Sequence, residues 1–299
     1  ELYERYLGEL PDRPAKKHGL KRTKAPFGVN WQNRKLSSIR PEEVRKLHTA
    51  AGQVLAGSTA NKITDFLGVL YNKAKAWGEF TGTPPSTGIE LFTEAKRARF
   101  LKAHEIPAFF AALESEPSQD FADLVVLLLL AGARIGNTLA MRWADVDLKS
   151  AEWTVPGEVS KNGEAMVVVL VPEALEVLKR RHDERAQDSE WVFPADSASG
   201  HLSYPRKRWL SLLERADLKD LHIHDLRRSL GSWQARTGSS LHIIGKSLGH
   251  KSLQATQIYA RLDNDPVRES VTRATDALLA AGRAEPSEVI PLPTARKQA

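Results

Sequence analysis

Apolar residues recur at helical spacing along most of this chain and at strand spacing only near its middle. Pro41-Glu42-Glu43 predicts a helix start, because proline suits a first turn and acids suit the positive helix end. Ser58-Thr59 precedes a longer helix through Trp77. Its stripe is Ile63, Phe66, Leu67, Leu70, Tyr71, Ala74 and Trp77. Thr81-Gly82-Thr83-Pro84-Pro85-Ser86-Thr87-Gly88 ends that pattern. Further helices are predicted over roughly 103–115 and 119–131, with Leu124–Ala131 apolar enough to be buried on all sides. Strands are predicted at Glu152–Pro156 and Ala165–Val171, flanking Lys161-Asn162-Gly163-Glu164. Asn-Gly between β-prone runs signals a hairpin. Helices resume at Pro172–Arg181, Tyr204–Ala216 and Asp225–Arg236, the last stopped by Gly238. Two short helices, Leu241–Leu248 and Ser252–Tyr259, and another at Pro266–Ala280 complete the pattern.

The expected fold class is therefore mainly α with a small β-sheet or hairpin. A helical first domain would span residues 1–88, a linker 89–100, an α+β second domain 101–281 and a flexible tail 282–299.

Composition narrows the function only a little. Hydrophobic residues make up 41% and charged residues 27%, which fits an ordinary soluble domain with a normal core. The net charge of +6 favours a polyanionic partner. No cysteine is present, so disulfides, thiolate metal sites and a cysteine nucleophile are excluded. No apolar run is long enough to span a bilayer, and a reducing, cytoplasmic setting is expected. The chain starts at Glu1, so an upstream arm that binds DNA is left open. Basic residues cluster at Lys16, Lys17, Lys21, Arg22 and Lys24, and again at Lys96, Arg97 and Arg99. Each cluster fits either a solvated surface or a contact to a phosphate backbone.

The candidate chemistry lies at five places. Arg134 follows the buried helix in Gly132-Ala133-Arg134. Lys161 stands at the expected hairpin tip. His224 and Arg227, three apart, share a helix face. His250 occupies a turn in Leu248-Gly249-His250, and Tyr259 ends the short helix that follows. Read singly, these fit a snorkelling arginine, a solvated lysine, a helix start, a helix-turn-helix fragment and a packed tyrosine. Together they offer guanidinium forks for phosphate oxygens, proton-carrying groups and a hydroxyl nucleophile.

Their order resembles the tyrosine recombinase family, also called the phage integrase family. The strings that carry the likeness are G-A-R-I-G-N-T-L-A-M-R-W, H-D-L-R-R-S and L-G-H-K-S-L-Q-A-T-Q-I-Y-A. The resemblance covers nearly the whole chain. It implies a helical core-binding domain, including Arg34-Lys35-Leu36-Ser37-Ser38-Ile39, and a catalytic domain from Phe100-Leu101 to about Ala280.

That resemblance implies a site-specific DNA recombinase, an integrase of a phage or other mobile element. Tyr259 would attack the scissile phosphate to give a 3′-phosphotyrosyl bond and a free 5′-hydroxyl. Arg134 and Arg227 would clamp the non-bridging oxygens, and His224 would act as acid/base. His250 would hydrogen-bond the phosphate, and Lys161 would protonate the leaving oxygen. Lys21, Arg22, Lys96, Arg97, Arg99 and Lys251 would contact DNA. Asn137 stands where many members carry an acid, so the support around Arg134 differs. No cofactor, nucleotide or metal is expected, since the phosphotyrosyl ester conserves the bond energy and no Walker-type loop or acidic cluster is present. The implied partners are double-stranded recombination sites, three further copies in a tetramer, and accessory proteins that bend DNA or set direction. When bound to DNA the protein would be nucleoid-associated. Two other readings stay open: a type IB topoisomerase-like enzyme, and a DNA-binding regulator whose L-G-H region is a plain helix-turn-helix without strand cleavage.

Overall fold

The computed structural model describes residues 2–10, 31, 34–94, 97–158, 163–185, 189–250, 252–259 and 265–283. The chain divides into two compact units, Glu1–Arg97 and Ala98–Ala299.

The first unit is helical. Helix α1 spans Leu2–Glu9, α2 Pro41–Val54 and α3 Gly57–Ala76. Pro41 opens α2 as its sequence requires, and the Glu43 carboxylate accepts the Arg40 backbone N–H at 2.9 Å. The predicted stripe of α3 is buried: Ile63, Phe66, Leu67, Leu70 and Tyr71 pack with Tyr6, Ile39 and Val44. The Tyr71 hydroxyl donates to the Leu36 carbonyl at 2.8 Å, so the buried ring keeps a polar partner. Arg34 forks onto Glu43, holding the residues before α2 against its first turn.

Residues 89–94 pack on this unit. Asn61 accepts the Phe92 N–H at 3.0 Å and donates to the Phe92 carbonyl at 2.9 Å, while buried His48 lies beside the Phe92 ring. Arg99 also has a built partner. Its guanidinium forks onto Glu105 at 2.6 and 2.7 Å and reaches the Phe100 carbonyl. It brackets the start of the second unit and is not a solvated cation.

The second unit wraps helices around a large apolar core, with a smaller cluster at Ile244, Leu248 and Tyr259. Its helices are α4 Ile106–Glu114, α5 Gln119–Ala131, α6 Ile135–Leu139, α7 Pro172–Glu184, α8 Arg206–Arg215 and α9 Asp225–Arg236. Helices α10 Leu241–Leu248, α11 Leu253–Thr256 and α12 Asp265–Arg283 follow. Helix α5 is the core's centre, with Phe121, Leu124, Val125, Leu127 and Leu128 essentially inaccessible. Gly238, at φ +88°, stops α9: its N–H reaches the Ala235 carbonyl, and that of Ser239 reaches Gln234.

The sheet is small and antiparallel, in the order β1 (Val146–Asp147), β2 (Glu152–Val155), β3 (Met166–Val169). Trp153, Val155 and Val168 face the core, while Val167 and Val169 face outward.

Several expectations change. Strand β1 was not foreseen, because two residues carry no periodicity. Pairing ends at Val155 opposite Met166, so the connection runs from 156 to 165, within one residue of the expected 157–164; Lys161 and Asn162 lie outside the described residues. The helix expected over Ser252–Tyr259 ends at Thr256, which leaves Tyr259 in the turn beyond it. Helix α12 runs through Gly282 to Arg283, past the expected start of the tail. Residues 284–299 lie outside the described residues, as do Lys21, Arg22, Lys96, Lys161 and Lys251.

Candidate active site

The site is assembled where α5, α9 and α10 meet. Helix α5 ends at Gly132 in a left-handed cap, and the chain then turns outward so that Arg134 precedes α6. Helix α9 begins beneath it. Buried Asp225, in the first turn, accepts the His222 N–H at 2.8 Å and the Arg228 guanidinium at 2.5 Å. That carboxylate satisfies a free N–H at the helix start. Ser229 ties the same turn to the unit's first residues by accepting the Leu101 N–H at 2.7 Å.

Arg227 is 4% exposed and held by backbone alone. Nη1 donates to the Gly132 carbonyl at 2.5 Å, and Nη2 donates to the Leu248 carbonyl. The guanidinium thus joins the C-terminal ends of α5 and α10. Neither Arg227 nor Arg134 has a carboxylate partner among the described residues. Burial first, and then the charge of Arg134, bring the Arg227 pKa down to about 10, while Tyr259 opposes the shift. It remains a cation at neutral pH, but a cation in an unfavourable place.

His250 follows the cap of α10. Gly249 has φ +62°, a left-handed conformation that glycine adopts without strain. A side chain there would also strike Met166, the first residue of β3. Met166 therefore seats one flank of the 156–165 connection against the L-G-H turn. Lys161 belongs to that connection but lies outside the described residues. The His250 N–H reaches the Gly245 carbonyl at 2.8 Å, and Nδ1 lies 2.9 Å from the Thr256 hydroxyl. Burial first, then Arg227, Arg134 and His224, lower the imidazole pKa to about 4. His250 thus feels both arginines, with the His224 ring adding a smaller effect in the same direction.

Tyr259 is buried, at 3% exposure, in a small cluster with Ile244 and Leu248. Its ring is parallel to that of His250, with centroids 6.0 Å apart. It also lies on the backbone of α9: a Cβ on Gly231 would sit 2.6 Å from the ring. Burial raises its pKa, and Arg227 and Arg228 pull it back. His224, the residue before α9, is exposed at the edge of the cluster. Partial burial of its ring, then Arg228 and Arg227, push its pKa below the ordinary histidine value.

The structure therefore brings together Arg134, His224, Arg227, His250 and Tyr259, drawn from segments more than a hundred residues apart. Asn137 lies on α6, one turn after Arg134. It is buried, and its Nδ2 has no hydrogen-bond partner among the described residues. Arg97 ends the first unit, and Arg99, at the start of the second, is committed to Glu105. Three contributors were missed from sequence. Asp225 orders the start of α9, and its helix-opening acid signalled as much. Thr256 meets His250 across a turn, and Met166 meets Gly249 across the fold. Neither of those contacts leaves a periodic trace.

A mainly helical unit with a three-stranded sheet places a buried tyrosine beside Arg227, which has no carboxylate partner among the described residues, an arrangement suited to holding a phosphate. Comparison with known proteins agrees. The model of the phage integrase family matches residues 99–265, more than half of the chain. The chain belongs to that family.

Relatives include the prophage integrase IntF of Escherichia coli K12, 28% identical over 170 residues, and the integrase of Salmonella phage P22, 27% identical over 180. Each match covers 56% of this chain, but the chain spans only 36% of the first relative and 44% of the second. The tyrosine recombinase XerC of Chlorobaculum parvum is 26% identical, covering 66% of this chain and 67% of its own. Among solved structures, the Tn1549 transposon integrase in complex with transposon right-end DNA superposes with a TM-score of 0.72. It is 14% identical and covers 92% of this chain and 98% of its own. A lambda integrase dimer bound to a COC' core site gives a TM-score of 0.68 at 19% identity, covering 84% and 94%.

Proposed function

We propose that this protein is a site-specific DNA recombinase, an integrase of a phage or other mobile element, that cleaves and rejoins DNA through Tyr259. One observation carries the reading. Two arginines, one of them buried, repel each other with no carboxylate partner among the described residues, and the buried one lies beside a buried tyrosine. A phosphodiester supplies the missing negative charge and receives the arginine forks.

In the proposed step the Tyr259 oxygen attacks the phosphorus. A P–O bond to tyrosine forms as the bond to the 5′-oxygen breaks. The phenol proton passes to His224 or to water, and the leaving oxygen takes a proton from Lys161. Arg134, Arg227 and His250 hold the non-bridging oxygens, where charge gathers in the transition state. The reverse attack by a 5′-hydroxyl reseals the strand with no net change in ester bonds. No nucleotide or metal is needed to drive it.

The same reading assigns double-stranded recombination sites as substrate and a tetramer as the working assembly. A lambda integrase tetramer bound to a Holliday junction shares this fold, with a TM-score of 0.65. Lys21, Arg22, Lys96, Arg97 and Lys251 are assigned to the DNA backbone; Arg99 is left out because Glu105 occupies it.

The test is covalent capture. The protein is mixed with a pool of nicked duplexes, denatured in detergent, and assayed for protein-linked DNA. Wild type is expected to retain a 3′-linked strand of defined sequence, and Tyr259→Phe to bind DNA without retaining it. An adduct that persists in Tyr259→Phe, or specific binding by wild type with no adduct, overturns the reading in favour of a DNA-binding regulator.

A further inference from the structure

The ring of His250 has two nitrogens, and they do different work. Nδ1 lies 2.9 Å from the Oγ1 of Thr256. One face of the ring is stacked on Tyr259. The Nε2 edge is the hydrogen-bonding position that remains for a ligand.

Thr256 is fully buried in the last turn of α11, three residues before Tyr259. The backbone of α10 packs directly on it, since a Cβ on Gly245 would lie 3.0 Å from Oγ1. Gly245 also accepts the His250 N–H, so a single contact region fixes both the turn and the threonine. Among the described residues Oγ1 makes one hydrogen bond, the one to Nδ1. Thr64 and Thr138 donate their hydroxyls to the carbonyl four residues back, whereas among the described residues the Thr256 hydroxyl has no carbonyl within hydrogen-bond geometry.

A buried hydroxyl proton without an acceptor is costly. Here the available acceptor is an unprotonated Nδ1. If Nδ1 carried the ring proton, it would donate to Oγ1, and the hydroxyl proton would have nowhere to go. With Nδ1 as acceptor, a neutral imidazole must carry its proton on Nε2.

We infer that Thr256 is a positioning residue: its hydroxyl donates to Nδ1 and fixes His250 as the neutral Nε2–H tautomer, aimed as a donor at a phosphate oxygen. The assignment of that oxygen rests on the recombinase reading above; the tautomer does not. The arrangement makes His250 a fixed dipole in place of a third cation. Adding a third positive charge beside Arg134 and Arg227 would cost more than a donor requires. It also couples histidine and nucleophile, because one helical turn carries Thr256 and leads into Tyr259.

The test reads the tautomer directly. Imidazole nitrogens of the full chain, without DNA, are observed at neutral pH by long-range proton–nitrogen correlation. His250→Gln identifies the His250 signals by their loss. Wild type is expected to show a pyridine-like Nδ1 and a pyrrole-like Nε2. Thr256→Val keeps the shape and loses the hydroxyl, and is expected to mix the tautomers or move the proton to Nδ1. Thr256→Ser is expected to restore the wild-type spectrum. On nicked DNA, Thr256→Val should slow cleavage about tenfold without changing binding, and Thr256→Ser should recover it. A wild-type Nδ1–H tautomer overturns the proposal. So does a Thr256→Val spectrum like wild type, or a changed spectrum with an unchanged cleavage rate. Failure of the Tyr259 adduct, by contrast, removes the recombinase reading and leaves the tautomer result standing.

Discussion

Two clusters of arginine lie within the second unit, and they follow opposite rules. Between α5 and α7, Arg180 and Arg181 converge on buried Asp123 at 2.5 and 2.9 Å, and Arg181 also meets Asp120 at 2.8 Å. The remaining donors of Arg181 reach the Val192 carbonyl, and its plane lies over Phe193. Every charge there has an opposite within reach. Around α9, Arg227 is as deeply buried but is held only by the Gly132 and Leu248 carbonyls, with Arg134 repelling it. Carbonyl dipoles orient a guanidinium without neutralising it. The contrast teaches that burial of an arginine does not mark a site; burial without a counter-ion does.

The comparison breaks first at Arg227. Arg227→Ala should cut strand cleavage by roughly 10²–10³-fold, the usual value of one donor to a charged transition state. DNA binding should persist, since backbone contacts elsewhere supply it. Arg227→Lys should recover little, because an ammonium cannot span two carbonyls and two phosphate oxygens. Arg181→Ala should leave cleavage per folded molecule unchanged. The measurement is single-turnover cleavage of the captured sequence; equal losses at Arg181 and Arg227 would erase the distinction.

Stability should sort the clusters the other way. Arg181→Ala leaves Asp123 buried with one arginine fewer, a change expected to cost about 3 kcal/mol in urea unfolding. Arg134→Ala removes a repulsive charge and should cost nothing or add slightly. If Arg134→Ala proved the more destabilising, Arg134 would be structural and the site would lose its clamp.

Much of this was legible in the sequence, for physical reasons that differ by residue. The α5 run Leu124–Ala131 could only be buried, so an arginine just after Gly132 had to leave a hydrophobic wall. The spacing of His224 and Arg227 placed them on one helix face. What was not legible depended on contacts between distant segments. The Gly132 and Leu248 carbonyls are 95 and 21 residues from Arg227, and nothing in H-x-x-R names them. The consumption of Arg99 was partly readable, since Glu105 caps the turn at Lys102 and stands six residues away. Lys161 was read as a hairpin tip because Asn-Gly favours a tight turn. The strand register gives a connection close to the expected one, but the packing of its flank Met166 at Gly249 left no trace in the sequence. Local chemistry predicted the groups; tertiary packing decided which of them kept a free charge.

An anion should sharpen the same contrast with a smaller effect. Inorganic sulfate at about ten times its dissociation constant is expected to stabilise wild type by roughly 1.4 kcal/mol, through binding to the folded state alone. The gain should vanish in Arg134→Ala and survive in Arg181→Ala. A gain identical in all three proteins would be a general salt effect on exposed surface, and would place no anion at the site.

The smallest effect is the dependence of stability on pH. His250, with its pKa lowered to about 4, stays neutral in the folded protein where an unfolded histidine takes up a proton at about 6.5. Between those values the unfolded state binds more protons, so stability rises with pH and is lost as pH falls through that window. His224, also lowered, acts in the same direction from a more exposed position. Urea unfolding across pH 4 to 6.5 should therefore show a positive slope, and His250→Gln should flatten most of it. The slope arises first because the imidazole is buried and then because Arg227 and Arg134 beside it resist a further proton. If it persisted undiminished in His250→Gln, the acid-labile group would lie elsewhere, and the charge imbalance read at α9 would not be what the molecule feels.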